Sequence, residues 1–325
     1  MLEFRRCPNP GEADIYQGKR IAVVIPAHNE AAHIAAVVEG LPEYVDHIIV
    51  VDDASSDETA AAAAASARKP IVLRHETNQG VGAAVVDGYL KALELGAEVV
   101  GRLDGDGQMD PNELSDLLDP VVSDRAGFAK GNRFKYGRTS ESMPTLRRIG
   151  NIGLTFLTKL ASGYWHLFDP QNGYSAISAR AIGMLDMDYL RNCGYFFENA
   201  LLIELNAAEI PATDVPTATI YGQETSGLNI GKIMLVFPFR LMTGTFRRMT
   251  KRYVLRDFSP VILFLGSGWL LFIGGMTWGI VAWMQSNATG VPASTGSVML
   301  AALPVLAGFQ LLLQGLVLDI NGSPR

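Results

Sequence analysis

The stretch "RLDGDGQMD", Arg102–Asp110, sets Asp104, Asp106 and Gln108 at alternate positions with a glycine between each pair. Two carboxylates this close repel one another unless a cation lies between them. An extended segment would project all three side chains to one side. Hard oxygen donors in an open site suit Mg2+ or Mn2+, ions that share their coordination with substrate phosphates. The alternative is an acidic surface turn, since Asp-Gly is an ordinary turn dipeptide. Upstream, Glu30, Asp52 and Asp53 stand where apolar runs end. Carboxylates are poor partners for phosphate but accept hydrogen bonds from ribose hydroxyls and from a base imide N–H. The acids therefore describe a crevice for a nucleoside diphosphate, with metal on its phosphates and acids on its nucleoside.

The elements that must position these residues follow from periodicity. "RIAVVIPAHNE" (Arg20–Glu30) is an unbroken apolar run, the pattern of a buried parallel strand, and "AAHIAAVVEGL" follows with helical spacing. The form repeats as a strand at Ile48–Val51, an acidic loop and an Ala-rich helix from Glu58 to Arg68. A third strand, a glycine turn and a third helix lie in "PIVLRHETNQGVGAAVVDGYLKALELG", and "AEVVG" is a fourth strand. Alternation at this pace predicts an α/β fold with a doubly wound, mostly parallel sheet. Ligands of such sheets sit outside the carboxyl ends of the strands, where both acidic loops leave. "NQGVGAAV" carries Gly80 and Gly82 but Val85 where a dinucleotide fingerprint needs glycine or alanine. It reads as a tight turn beside the ligand. Phe128 to about Tyr221, with "KGNRF", "FDPQNGYSAIS" and "GYFFEN", reads as the acceptor half of the same domain.

The chain has 325 residues, 48 % of them hydrophobic, and a formal net charge of −6. That charge argues against a general nucleic-acid binder. Cys7 and Cys193 have no paired spacing, which points to neither a disulfide framework nor a zinc site. The apolar excess concentrates after Phe258. Residues 259–284 and 297–318 are two uncharged runs long enough to span a bilayer. The loop between them, "QSNATGVPASTG", has no Lys or Arg, while Arg240, Arg247, Arg248, Lys251, Arg252 and Arg256 precede the first run. The positive-inside rule then predicts a multi-pass protein of the cell membrane with both termini in the cytoplasm. The N-terminus has no apolar signal core, in keeping with that orientation. "GKIMLVFPFRLMTGTFRRMTKRY" mixes basic and apolar positions at helical spacing, as an interfacial helix on anionic lipid does. Three regions are expected: a catalytic domain over 1–227, a basic interfacial segment over 228–257, and a membrane hairpin over 258–325.

Taken in order, "VVIPAHNE", "VVDDASSDET", "NQGVGAA", "DGDGQMDP", "GNRF" and "DPQNGYSAIS" resemble the family 2 glycosyltransferases of GT-A fold. The likeness is to the subgroup of dolichol-phosphate mannosyltransferases and polyprenyl-phosphate glycosyltransferases, and it covers about Ile21 to Tyr221. It implies a nucleotide sugar donor, a polyprenyl or dolichyl phosphate acceptor, and Mg2+ or Mn2+ on Asp104, Asp106 and Gln108. It implies donor contacts from Pro26, Ala27, Glu30, Asp52, Asp53, Asn78, Gly80 and Asp104. Arg133 and one of Arg147 or Arg148 resemble arginines that meet phosphates, and Asp169, Gln171 and Asn172 would line the sugar and acceptor side. Glu198 is the acid nearest the family's position in "GYFFENALL". Val81 stands where many members carry lysine, and Tyr174-Ser175 replaces a common Phe-Arg. The Q-x-x-R-W signature of processive synthases is absent from the sequence.

The implied reaction is an inverting hexosyl transfer in which a lipid phosphate is the nucleophile. Such a monoester is largely dianionic near neutral pH and needs no general base. Two other readings stand beside it: transfer to another lipid such as diacylglycerol, which would need a base, and a membrane scaffold that binds nucleotide sugars without catalysis. Membrane lipid is an expected partner and nucleic acid is not; homo-oligomerisation is left open.

Overall fold

A computed structural model describes residues 16–133, 145–217 and 230–325, with the side chains of 145–152 and 230–235 outside that description. It holds a seven-stranded sheet of β1 (Ile21–Ala27), β2 (His47–Asp52), β3 (Ile71–Arg74), β4 (Val99–Arg102), β5 (Phe128–Asn132), β6 (Ser175–Ser178) and β7 (Ala212–Pro216). The order is β3-β2-β1-β4-β6-β5-β7. β6 runs antiparallel to β4 and β5, and all other pairs are parallel. This is the doubly wound, mostly parallel sheet that the alternating pattern predicts.

All seven residues of β1 are buried, because helices cover both faces of the sheet. Ala22 and Val24 enter one core with Tyr89, Phe197 and Leu202, while Ile21, Val23 and Ile25 enter the other with Ile34, Leu114 and Leu117. The helices of this unit are α1 (Ile34–Glu39), α2 (Thr59–Ala64), α3 (Val81–Glu94), α4 (Leu114–Val122), α5 (Thr145–Ser162), α6 (Ala179–Ile182), α7 (Met187–Arg191) and α8 (Phe197–Ala207). The Ala-rich helix stops four residues before the expected Arg68. Pro70 disfavours helix at the residue before it, and Lys69 turns with a φ of +47°.

α9 (Ile230–Thr250) runs from this first compact unit, which extends to Gly244, into a second made of Thr245–Ser323. Its Phe237 and Leu241 are buried in the core of the first unit. Phe239, Met242 and Phe246, on other positions of the same turns, are mostly exposed.

The second unit is a hairpin of α10 (Pro260–Thr289) and α11 (Thr295–Asn321). Ser259 and Ser294 cap the two starts, accepting from Val261 N and Ser297 N. Each helix is long and apolar enough to cross a membrane, and the most apolar windows are only 17 % and 6 % buried. Gly308 lets the helices touch: a Cβ there would lie 2.5 Å from Phe272 N. The unit also contains a buried polar knot. Arg248 grips Asp319 with both terminal nitrogens at 2.7 and 2.9 Å, and the Tyr253 hydroxyl donates to Asp319 Oδ1 at 2.7 Å.

Candidate active site

β1, β2 and β4 are parallel neighbours, and the chain leaves in opposite directions from the β1–β4 pair. Such a switch point opens a crevice at the carboxyl ends of the strands. The acidic stretch emerges there from β4. It does not stay extended as the alternation predicts. It forms a turn in which Gly107 takes a φ of +73°, a conformation glycine adopts without strain. The Gln108 N–H donates to Asp106 Oδ1 at 3.0 Å, and the Tyr174 hydroxyl pins the far end through the Asp110 carbonyl at 2.8 Å. The turn still brings the three donors together. Asp104, Asp106 and Gln108 line one cavity of about 150 Å³, which Arg133, Gln171 and Asn172 also line.

Two carboxylates and an amide oxygen facing a small polar cavity fit a hard divalent cation with coordination to spare for phosphate oxygens. Glu30 stands beside this loop. A Cβ on Gly105 would come 3.3 Å from Ala27 Cβ, 3.4 Å from the Pro26 carbonyl and 3.5 Å from Glu30 Cγ. Pro26, Ala27 and Glu30 are therefore packed against the acidic turn.

Asp52 and Asp53 depart from the reading that both carboxylates face a nucleoside. The Asp52 carboxylate is buried and takes the Ser55 N–H at 2.9 Å, with Arg74 Nε 3.4 Å away. Asp53 is also buried. Its Oδ1 accepts from Gln79 N at 2.8 Å and lies 2.7 Å from His75 Nδ1, while its Oδ2 accepts from Gly80 N at 2.7 Å. These acids accept the N–H groups of the loops after β2 and β3 and so fix those loops. Burial opposes the Asp53 charge, but these N–H groups and His75 hold its carboxyl below the ordinary range. His75 in turn touches Asp87 at 3.0 Å, and Arg191 holds Asp87. Asn78 is exposed and reaches His28 at 3.3 Å, and Gly80 turns with a φ of +87° to start α3. Gly82 is different from the expected turn glycine: it is inside α3, where a Cβ would meet the Leu190 carbonyl at 2.9 Å.

On the other wall, Arg133 and Asp169 hold each other. Arg133 Nε donates to Oδ2 at 2.7 Å and Nη2 to Oδ1 at 3.0 Å. Asn172 is a scaffold residue, donating to the Gly131 carbonyl at 2.9 Å and accepting from Tyr174 N at 3.1 Å. Gln171 is exposed on the cavity wall. Arg147 and Arg148 lie in the first turn of α5, and their side chains are outside the described residues.

Three residues that the sequence reading passed over complete the site. Arg102 ends β4 at 2 % exposure, and its Nη2 donates to both Asp104 Oδ1, at 3.1 Å, and Glu198 Oε1, at 3.0 Å. Lys130 on β5 is equally buried and donates to the Asn172 carbonyl. Burial brings the Lys130 ammonium down to about 8, against the pull of Glu198 and Asp169. Gly173 gives Asp104 its space, since a Cβ there would fall 2.5 Å from Oδ2. A signal for two of them exists in the sequence. A cation inside an otherwise buried strand must find acids, because charged residues are rarely buried unpaired.

The model of the family described as glycosyl transferase family 2 matches residues 22–183. The UDP-N-acetylglucosamine–dolichyl-phosphate N-acetylglucosaminyltransferase of Methanococcus voltae is 34 % identical, over 62 % of this chain and 86 % of its own. Polyprenol monophosphomannose synthase of Mycolicibacterium smegmatis is 30 % identical, over 62 % of this chain and 79 % of its own. Among solved structures, glucosyl-3-phosphoglycerate synthase from Mycobacterium tuberculosis, in complex with Mn2+, UDP and glucosyl-3-phosphoglycerate, superimposes with a TM-score of 0.51. It shares 19 % identity, over 75 % of this chain and 86 % of that one. At that identity the likeness is one of fold.

Proposed function

The chain belongs to glycosyl transferase family 2, and we propose that it moves a hexose from a nucleoside diphosphate sugar to a polyprenyl or dolichyl phosphate. The observation that carries the reading is the cavity at the end of β4, with Asp104, Asp106 and Gln108 on one side and Arg133 and Gln171 on the other. Relatives named for transfer to dolichyl phosphate and for polyprenol monophosphomannose synthesis support the acceptor class.

In this reading Asp104, Asp106 and Gln108 hold Mg2+ or Mn2+, which when bound supplies positive charge to the donor's diphosphate. Pro26, Ala27, Glu30, Asn78 and Gly80 form the nucleoside side. Asp52 and Asp53 contribute by fixing the loops that carry it. Arg133, with Arg147 or Arg148, draws in the acceptor phosphate, and Asp169 orients Arg133 from behind. A lipid phosphate oxygen bonds to the anomeric carbon as that carbon's bond to the diphosphate oxygen breaks. The diphosphate leaves with the electron pair, and the anomeric configuration inverts. No proton has to be moved, since the acceptor is already ionised.

α10 and α11 form a membrane hairpin in this account, and the exposed Phe239, Met242 and Phe246 of α9 lie in the headgroup region. The basic residues before α10 support an orientation with the catalytic domain on the cytoplasmic side. The hairpin thereby keeps the enzyme at the bilayer, where a lipid acceptor's head group is found.

The test is to incubate the full chain in lipid with polyprenyl phosphate, Mn2+ and labelled UDP- or GDP-sugars, then extract with organic solvent. Label entering the organic phase with wild type and not with Asp106→Asn supports the reading and names the donor. No label in the organic phase with any donor, or label that survives in Asp106→Asn, rejects it.

A further inference from the structure

We propose that Glu198 is a positioning residue that draws Arg102 partly away from Asp104 and so keeps Asp104 open to a divalent cation. The inference rests on the metal reading of Asp104 and deepens it.

One guanidinium nitrogen serves both acids. Arg102 Nη2 lies 3.1 Å from Asp104 Oδ1 and 3.0 Å from Glu198 Oε1. Arg102 cannot relax into water, being 2 % exposed on a strand between β1 and β6. Its guanidinium carbon also sits 5.5 Å from the Phe197 ring centroid, so two successive residues of α8 hold it, one by its ring and one by its charge. Asp104 has little room of its own. The backbone at Gly173 is so near that a Cβ there would lie 2.5 Å from Oδ2, 2.9 Å from Oδ1 and 3.1 Å from Arg102 Nη2.

Where the Asp104 carboxylate points therefore depends on how Arg102 divides its hydrogen bonds. An arginine and a carboxylate left alone together favour the two-pronged pair, with both oxygens engaged. Arg133 and Asp169 adopt that arrangement in the same wall. Arg102 does not adopt it: one of its nitrogens bonds Oδ1, and that nitrogen is shared with Glu198. Charge points the same way. Glu198 sets a negative charge against Arg102 and the nearby buried Lys130, which lowers the positive field where a cation is to bind. Without the Glu198 charge the surroundings of Asp104 become more positive, and Arg102 competes with the cation for it.

This assigns Glu198 a different task from that of a general base. Its Oε1 bonds the internal guanidinium of Arg102, and Glu198 is not among the residues that line the cavity of Asp104 and Gln171.

The test measures Mn2+ binding to the full chain in detergent by electron paramagnetic resonance of the free ion, with no donor or acceptor added. Glu198→Gln should weaken Mn2+ binding by about tenfold or more, the usual scale for removing a partner of a metal ligand. Arg102→Met combined with Glu198→Gln removes both charges and should restore binding to near the wild-type level. Glu198→Asp, which keeps the charge but shortens the reach, should fall between and guards against a misfolded Gln variant. In the transfer assay, excess Mn2+ should recover most of the Glu198→Gln activity. Wild-type Mn2+ affinity in Glu198→Gln, with transfer lost at every Mn2+ concentration, would overturn the proposal in favour of a base. A double variant as weak as Glu198→Gln would overturn it too, as would absence of Mn2+ binding to wild type. Failure of every donor and lipid acceptor to react, with the Mn2+ series as expected, would instead reject the reaction and leave this inference intact.

Discussion

Arg133 and Asp169 form a two-pronged ion pair on the wall of the cavity, 2.7 Å from Nε to Oδ2 and 3.0 Å from Nη2 to Oδ1. Arg133 is about a third exposed at its side chain, whereas Asp169 is buried. The pair thus offers the cavity a cation aimed from behind by a carboxylate. Arg133→Lys keeps the charge and loses the planar fork, which is not a conservative change at such a site. Transfer should fall by about tenfold or more, in line with a lost charged hydrogen bond of about 1.5–3 kcal/mol. Initial rates against acceptor concentration check this, with the loss expected in KM for the lipid phosphate.

Lys130 predicts an alkaline limb. Its ammonium, brought down to about 8 by burial, donates to the Asn172 carbonyl and so braces the loop that carries Gln171. Above about pH 8 that brace loses its charge, and transfer should decline. Stability runs the other way. The unfolded chain binds more protons than the folded one between about 8 and the ordinary value of 10.5, so this group's contribution to stability rises with pH across that window. A pH–rate profile of Lys130→Arg should lack the limb near 8.

Asp53 predicts a donor-side defect with an acid signature. Its carboxyl is held below the ordinary 3.8, so it stabilises the fold above that value and the contribution fades as pH falls through the lower, folded one. Asp53→Asn should raise KM for the donor, because the Gln79 and Gly80 N–H groups lose an ionised acceptor. The stability gap between wild type and Asp53→Asn should be open at pH 7 and narrow below about pH 4, as seen by thermal melting.

The hairpin unit has its own weak point. Asp319 is fully buried against Arg248 and the Tyr253 hydroxyl. Asp319→Ala strands a buried guanidinium and should lower stability by about 3–5 kcal/mol, the usual penalty for breaking such a pair. Arg248→Met with Asp319→Leu removes both charges and should melt well above the single variant in detergent.

Much of this was legible in the sequence, for reasons visible in particular residues. β1 reads as a buried strand because all seven positions from Ile21 to Ala27 must be apolar or small when helices cover both faces. The hairpin reads from length alone, and its serine caps stand one residue before Pro260 and Thr295. That Asp104, Asp106 and Gln108 come together was legible, but not the shape of their turn, since alternation cannot say that Gly107 will bend the chain.

The pairing of Arg102 with Glu198 was hidden because Glu198 arrives 96 residues later on α8. Asp52 and Asp53 look like ligand acids because they end a strand. Only the folded loops show that Ser55, Gln79 and Gly80 need those oxygens first. Asp319 sits near the end of an apolar run and gives no hint of Arg248, 71 residues earlier.

The central claim is that the nucleophile is a phosphate oxygen, with no base required. The direct measurement compares polyprenyl phosphate with the matching polyprenol and with diacylglycerol as acceptors for the full chain in lipid with Mn2+ and the working donor. The account predicts organic-phase label with polyprenyl phosphate alone, bearing an acid-labile sugar–phosphate linkage of inverted configuration. Equal or greater label on an uncharged lipid alcohol would contradict it.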